Sequence, residues 1–326
     1  MMELILPFAV VPSQEKISYA QRIFFIGSCF TEAMSQKMTG LKFQVLQNPN
    51  GILYDPISIC AALDGYVTGK QYQLSDLFFR DQLWHSWHHH SAFSGPQPEA
   101  VLKHINALQS AAHEFLRDTS WLVITIGTSF HYVLKEGYQP VANCHKAPAA
   151  WFEKKLIPLD QISAGLYQTV IRLQQFNPRL QIIFTISPVR HVKDGIIENS
   201  RSKARIIEAV HLTREKNGRT HYFPAYEWII DVLRDYRFYH SDLVHPSEDA
   251  VQYVFEKFCE TFVDETSRQL MEEVKQIHAA MQHRPFQKDS AAYREFKSRQ
   301  LEKVSRLAGR QPSVDFGEEK AFFESA

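Results

Sequence analysis

Apolar residues along this chain fall into short continuous runs separated by longer stretches of helical spacing. Runs at residues 23–26, 43–46, 121–126, 181–186 and, more weakly, 221–223 predict five strands. Leu122-Val123-Ile124-Thr125-Ile126 and Ile182-Ile183-Phe184-Thr185-Ile186 show no regular alternation with polar residues and are rich in β-branched side chains. Such continuity marks strands covered on both faces, as in a parallel sheet. Between them lie helical patterns. Residues 56–66 follow Asp55 as a cap, with Pro56 at the first position and an end near Gly69. Residues 99–116 place Leu102, Ile105, Leu108, Ala112 and Phe115 at spacings of three and four. Residues 159–176 and 196–215 follow the same rule, the latter interrupted early by Ser200 and Ser202. Pro246-Ser247-Glu248-Asp249 opens a further helix over 250–262, with its acids in the first turn. Alternating strands and helices predict an α/β fold: three layers, α/β/α, around a mostly parallel, five-stranded sheet of the flavodoxin type.

Two segments stand outside that pattern. Residues 67–98 form a long connection containing Trp84-His85-Ser86-Trp87-His88-His89-His90, and a connection of this length reads as a functional lid or a disordered stretch. From 264 onward the chain is charge-rich, with weak helical spacing at Leu270, Val274, Ile277 and Met281 and then a polar stretch ending in Phe322-Phe323. The expected division is a main domain over 1–263 and a helical, partly flexible extension over 264–326.

Composition narrows the function. Formal net charge is zero over 326 residues, so nothing favours a nucleic-acid partner. Cys29, Cys60, Cys144 and Cys259 are scattered without a CxxC pair, which predicts reduced thiols rather than a disulfide framework. The apolar start, residues 1–12, lacks a basic flank and is broken by Pro7, and no run approaches the length of a membrane span. A cytoplasmic protein that does not enter membranes is expected. GxGxxG and Walker A motifs are absent, which disfavours nucleotide-dependent redox or phosphoryl chemistry, and no cofactor is expected.

Chemistry gathers where the strands end. The first delivers Gly27-Ser28-Cys29, the second Gln47-Asn48-Pro49-Asn50-Gly51, the third Gly127-Thr128-Ser129-Phe130-His131 and the fourth Ser187-Pro188-Val189-Arg190-His191. Residues 239–245 return with Ser241-Asp242-Leu243-Val244-His245. Carboxyl ends of parallel strands converge on one crevice in this topology. Ser28 or Cys29, at a helix start, is a candidate nucleophile; His245 is its base, and Asp242 orients the ring. Backbone N–H groups at Cys29 and Gly51 are candidate oxyanion donors. His191 and His131 are rival bases, and Ser28 is equally suited to capping the helix.

Gly27-Ser28-Cys29-Phe30, taken with Gly127-Thr128-Ser129, Asn143-Cys144-His145-Lys146, Ser187-Pro188-Val189-Arg190 and Asp242…His245, resembles the GSCFA-domain family over roughly residues 20–260. That family in turn resembles the SGNH (GDSL-like) hydrolases. The resemblance implies that the nucleophilic serine of those enzymes corresponds to Cys29, their oxyanion glycine to Gly51 and their Asp-x-x-His block to Asp242 and His245. Their Gly-x-Asn block falls on Gly127-Thr128-Ser129, which lacks the asparagine; Ser129 or Asn143 stands in for it. The implied activity is hydrolysis of an ester, an O-acyl (acetyl) group on a carbohydrate or polyol, through a Cys-His-Asp triad and an acyl-enzyme. Acyl transfer from a thioester donor is the first alternative, and a catalytically weak ligand-binding scaffold the second.

The remaining candidates are accessory. The histidines of 85–90 are interleaved with tryptophans and lack HExxH-like spacing, so a substrate-covering loop with His90 near the site is expected rather than a metal centre. Asn143 and His145 suit a substrate loop. Arg190 is placed to grip an anionic substrate group or to pair with Asp194. Oligomeric state is not legible.

Overall fold

The computed structural model describes residues 7–287 and 290–325. The first six residues of the apolar start therefore lie outside the described residues. The chain divides into two compact units. One comprises residues 7–9, Arg22–Ser35 and Val45–Glu256; the other comprises Val10–Gln21, Gln36–Gln44 and the chain from Lys257 onward.

The elements run β1 (Arg22–Gly27), α1 (Cys29–Gly40), β2 (Gln44–Gln47), α2 (Pro56–Thr68), β3 (Leu77–Arg80), β4 (Leu83–Ser86) and α3 (Pro98–Arg117). They continue with β5 (Thr119–Ile126), β6 (Phe130–Leu134), β7 (Pro140–Val141), β8 (Phe152–Leu156), α4 (Leu159–Phe176), β9 (Gln181–Ile186), α5 (Ile196–Glu215) and β10 (Thr220–Phe223). A short α6 (Ala225–Glu227) precedes α7 (Glu248–Phe262), α8 (Glu265–Gln282), α9 (Ala291–Arg310) and α10 (Gly317–Glu324).

Five strands form the central sheet in the order β10-β9-β5-β1-β2. The β1–β5, β5–β9 and β9–β10 pairs are parallel. The fold is thus the α/β sheet flanked by helices that the hydrophobic runs predict. The chain steps from β1 to β2 on one side, then crosses back to β5 on the other. This reversal is a topological switch point, where successive crossovers diverge and leave a crevice at the carboxyl ends of the two strands.

Alternate residues explain the core. Phe24 and Ile26, Leu122, Ile124 and Ile126, and Ile182, Phe184 and Ile186 share one sheet face and pack with Ile59, Leu63 and Tyr66 of α2, Leu116 of α3, Leu166 and Val170 of α4 and Ile206 of α5. The intervening Ile23, Phe25, Trp121, Val123 and Ile183 are buried as well. That double burial is why these strands read as unbroken apolar runs. Helix α2 starts as expected, with Asp55 Oδ1 accepting from the Ser58 N–H at 3.0 Å, and stops at Gly69, left-handed at φ 63°.

Residues 67–98, expected as a functional lid or a disordered stretch, carry regular structure. They contain the hairpin β3–β4, turned at Asp81 and Gln82 with positive φ, and Leu77 and Tyr72 pack on Val101 and Ile105 of α3. A second unanticipated sheet joins β7, β6 and β8 antiparallel. Strands of two to five residues give too few alternations to register as a period. The four cysteines are free thiols, and no described helix is long and apolar enough to cross a membrane.

Within the second unit, α8 is capped by Asp264 and α9 by Ser290. Its buried Glu319 is held by Lys42 at 2.7 Å and His278 at 3.1 Å. Burial pushes that carboxyl up, but these partners and its own N–H outweigh it and leave the group below its usual value.

Candidate active site

The Gly27–Cys29 turn is built by the switch point. β1 ends at Gly27, whose φ of +137° and approach to Thr125 leave no room for a side chain: a Cβ there would lie 2.0 Å from the Thr125 oxygen. The Gly27 N–H donates to Asn48 Oδ1 at 2.8 Å, and the Ser28 N–H to Thr125 O at 3.1 Å. The loop after β2 and the end of β5 thus fix the turn together. The Thr31 N–H then donates to Ser28 O at 2.9 Å, closing the first turn of α1 with Cys29 as its first residue. Cys29 is partly exposed. Its thiol is raised above the ordinary value: burial dominates, against the lowering effect of the Phe30 and Cys29 N–H groups and of Lys203, with Glu32 adding to the rise. The helix N-terminus favours the thiolate, yet desolvation is the larger effect.

The Asp242–His245 side is local. Asp242 Oδ2 sits 2.6 Å from His245 Nδ1, while its Oδ1 accepts from the Val244 and His245 N–H groups at 2.9 and 3.0 Å. Leu243 takes a left-handed φ of 59° to close this loop. Those two backbone donors and the imidazole hold the Asp242 carboxyl well below the usual range. A carboxylate so tied keeps the proton on Nδ1 and leaves Nε2 as the acceptor. Both side chains are about half exposed.

Cys29 and His245 line one cavity of about 460 Å³. Tyr54, Phe130 and Tyr132 supply aromatic wall, Asn143 and Cys144 another side, and Lys154, Arg190, His191, Lys193 and Asp194 a charged rim. Its wall at Ala142 and Asn143 is held by the long insertion, because both N–H groups donate to Trp87 O, at 2.8 and 3.3 Å. Trp87 stacks on Phe78 at 3.6 Å, and His145 donates from Nε2 to Ser86 O at 2.8 Å. His85, His88 and His89 of the insertion pack with aromatic rings, and the insertion's histidines hydrogen-bond within the protein. Burial drives His89 down to about 3 and His145 to about 4. Among the described residues no three His, Cys, Asp or Glu side chains gather as a metal site would need.

The other residues singled out in the sequence are placed unequally. Asn143 lines the cavity; its side-chain oxygen accepts from the His145 N–H at 2.8 Å, leaving the NH₂ as a donor. Arg190 also lines it, but it donates to Leu243 O at 3.4 Å and lies over the Tyr239 ring, while Asp194 pairs with Lys154 instead. Ser28 is buried and does not line the cavity, so the hydroxyl sits behind the turn. Ser129 is fully buried, its N–H and Oγ bonded to Ser202 of α5, and Thr128 takes the cavity position. Gly51 gives its N–H to Asn48 O at 2.7 Å and so cannot aim it at a substrate. His90 packs against Gly51 and accepts from the Ala92 N–H at 3.3 Å, outside the cavity lining. The register of each loop, invisible in sequence, separates these outcomes.

His191, expected as a rival base, lines the cavity with its imidazole lowered to about 4, chiefly by burial and then by Lys203. His131 does not line it. Lys203 itself escaped the sequence reading. It is fully buried on α5, and its amine donates to Gly127 O at 2.6 Å and Ser187 O at 2.5 Å. A signal existed: Asn199, Ser202, Lys203, Ile206, Ala209, Val210 and Thr213 form the buried stripe of α5.

The GSCFA family profile matches residues 22–258, and the profile of the GSCFA domain protein C-terminal domain matches residues 274–326. The chain belongs to the GSCFA family. No curated protein matched it. Among solved structures, it is similar to an acetyl xylan esterase from the rumen bacterium Butyrivibrio proteoclasticus, at 12% identity and a TM-score of 0.39 over 75% of this chain. The match spans 64% of that esterase's length. A carbohydrate esterase family 3 structure from Talaromyces cellulolyticus is similar at 7% identity and a TM-score of 0.36, over 78% of this chain and 99% of that one.

Proposed function

We propose that this GSCFA protein hydrolyses an O-acyl ester, with Cys29 as nucleophile, His245 as base and Asp242 as its orienting partner. The observation that carries the reading is that Cys29 and His245 line the same cavity, with His245 already tied to Asp242 through Nδ1. Cys29 Sγ attacks the ester carbonyl as its proton passes to His245 Nε2; collapse expels the alcohol, which takes that proton, and leaves a thioester. Water then attacks, giving its proton to His245, and the carboxylic acid departs as the thiol reforms. Unspent N–H groups at the start of α1 and the Asn143 NH₂ are the donors for the oxyanion. The raised thiol makes the base essential, because little thiolate forms without it.

Tyr54, Phe130 and Tyr132 favour a sugar or polyol as the alcohol part, since aromatic faces pack on C–H surfaces while phenols hydrogen-bond hydroxyls. Lys154, Arg190 and Lys193 at the rim favour a second reading, acyl transfer from an anionic thioester donor to a sugar hydroxyl.

The test is incubation with a chromogenic acetyl ester, with intact mass measured for wild type, Cys29→Ala and Ser28→Ala. An acetyl adduct and turnover lost only in Cys29→Ala support the assignment. Equal turnover in Cys29→Ala and wild type sinks it. A sugar acceptor that diverts acyl groups from water distinguishes transfer from hydrolysis. Ligand binding without any turnover returns the protein to a scaffold.

A further inference from the structure

An arginine's fixed charge and planar fork match a carboxylate or a phosphate. Three cations line the cavity shared by Cys29 and His245, against two carboxylates: Lys154, Arg190 and Lys193, with Asp55 and Asp194. Both carboxylates are already engaged. Asp194 pairs with Lys154, and Asp55 accepts from the N–H and the hydroxyl of Ser58 at the start of α2. Arg190 and Lys193 take part in no ion pair among the described residues, and Lys193 is exposed. Arg190 is the one held in place. Its guanidinium carbon lies 4.6 Å from the centre of the buried Tyr239 ring and 5.6 Å from that of Tyr236, and one N–H donates to Leu243 O at 3.4 Å. These contacts dock it on the loop that carries His245: Leu243 stands two residues before that histidine, and Tyr239 pairs through its backbone with Pro246 just after it. A fixed guanidinium in a cavity wall, without a carboxylate of its own, is a seat for an anion from outside.

We propose that Arg190 is a specificity-determining residue: it seats an anionic oxygen group, a carboxylate or a phosphate, carried by the alcohol part of the ester. The side of the ester rests on the proposed hydrolysis, in which the departing alcohol takes its proton from His245 and therefore leaves beside the loop that Arg190 is docked on. The seat itself rests only on the contacts of Arg190 and its missing carboxylate. The alcohol is then an acidic sugar or polyol, such as a uronate, rather than a neutral one. Tyr236 and Tyr239 keep the fork flat, so less freedom is lost when two of its N–H groups meet two oxygens of one anion. No bond forms or breaks at Arg190.

The experiment compares hydrolysis of three acetyl esters by the full chain: those of methyl glucoside, methyl glucuronide and methyl glucoside 6-phosphate. kcat/KM is measured for wild type, Arg190→Gln and Arg190→Lys, with folding checked by circular dichroism. Wild type should prefer an acidic ester over the neutral one by about tenfold or more, the size of one charge-assisted contact. The larger preference names the anion, carboxylate or phosphate. Arg190→Gln should bring that ratio close to one, and Arg190→Lys, a point charge without the planar fork, should keep part of it. A wild type that prefers neither acidic ester overturns the proposal. So does an Arg190→Gln variant that slows all three by the same factor, which marks a brace for the His245 loop and no anion seat. Should Arg190→Gln not fold, Arg190→Lys takes its place, and a ratio equal to that of wild type overturns. If no ester turns over, the hydrolase reading fails while the seat is still tested by calorimetry. Methyl glucuronide or methyl glucoside 6-phosphate should then bind wild type at least about tenfold more tightly than Arg190→Gln, and equal binding, or none, overturns the seat.

Discussion

The two halves of the candidate site are built differently. The Asp242–His245 half is an exposed loop in which the carboxylate finds its partners locally, in the Val244 and His245 N–H groups and the His245 ring. The Gly27–Cys29 half is partly buried and made by three separated segments: the Asn48 loop, the end of β5 and the start of α1. Arg190, in the connection after β9, reaches across to Leu243 O and braces the exposed half. The difference teaches where each half is vulnerable. The Asp242–His245 loop is local and can be altered without disturbing the fold, whereas the Gly27–Cys29 turn is part of the sheet.

The largest expected effect is on turnover. Cys29→Ala should lower ester hydrolysis by about 10⁴-fold with little change in thermal unfolding, a loss typical of removing one member of such a triad. A residual rate above a tenth of wild type would move the chemistry to another group. Gly27→Ala comes next and acts on the fold. A Cβ 2.0 Å from Thr125 O cannot be relieved by a flexible side chain, and the positive φ adds strain. A loss of about 3 kcal/mol or more is expected in denaturant unfolding, or failure to fold. Unchanged stability would show that the turn is not the tight junction described.

Asp242→Asn should cost roughly 10²-fold in kcat while leaving the melting temperature unmoved, because its partners are exposed and local. A fall in melting temperature comparable to that of Gly27→Ala would erase the contrast between the halves. The smallest increment is a pH slope. Burial holds His89 near 3 and His145 and His191 near 4 in the folded chain, against about 6.5 unfolded. The folded state therefore binds fewer protons below pH 6.5. Stability is full above that value and falls as pH drops toward the folded values, by about 1.4 kcal/mol per pH unit for each histidine. Urea unfolding at pH 7 and pH 5 measures it. Equal stability at the two pH values would show that burial does not hold these three rings neutral.

The strands and helices of the main sheet were legible because burial on both faces writes itself into unbroken apolar runs, and helix α2 because Asp55 and Gly69 punctuate it. Asp242 and His245 were legible for a related reason: three residues of spacing suffice for one loop to bring carboxylate to imidazole. Hairpin β3–β4 and the β7-β6-β8 sheet were not, their strands being too short to show a period. Lys203 illustrates a different failure. A lysine in a helix is normally solvated, and only the packing of α5 turns it inward.

By itself, then, the sequence determined the sheet, its crossover helices and the polar segments gathered at one edge, since these depend on local patterns of burial and capping. Which members of those segments face the cavity was decided by tertiary structure. Cys29 rather than Ser28, Thr128 rather than Ser129, and the burial that raises the thiol and neutralises His191 all follow from loop register and desolvation. Both are properties of neighbours distant in the chain, and no local spacing encodes them.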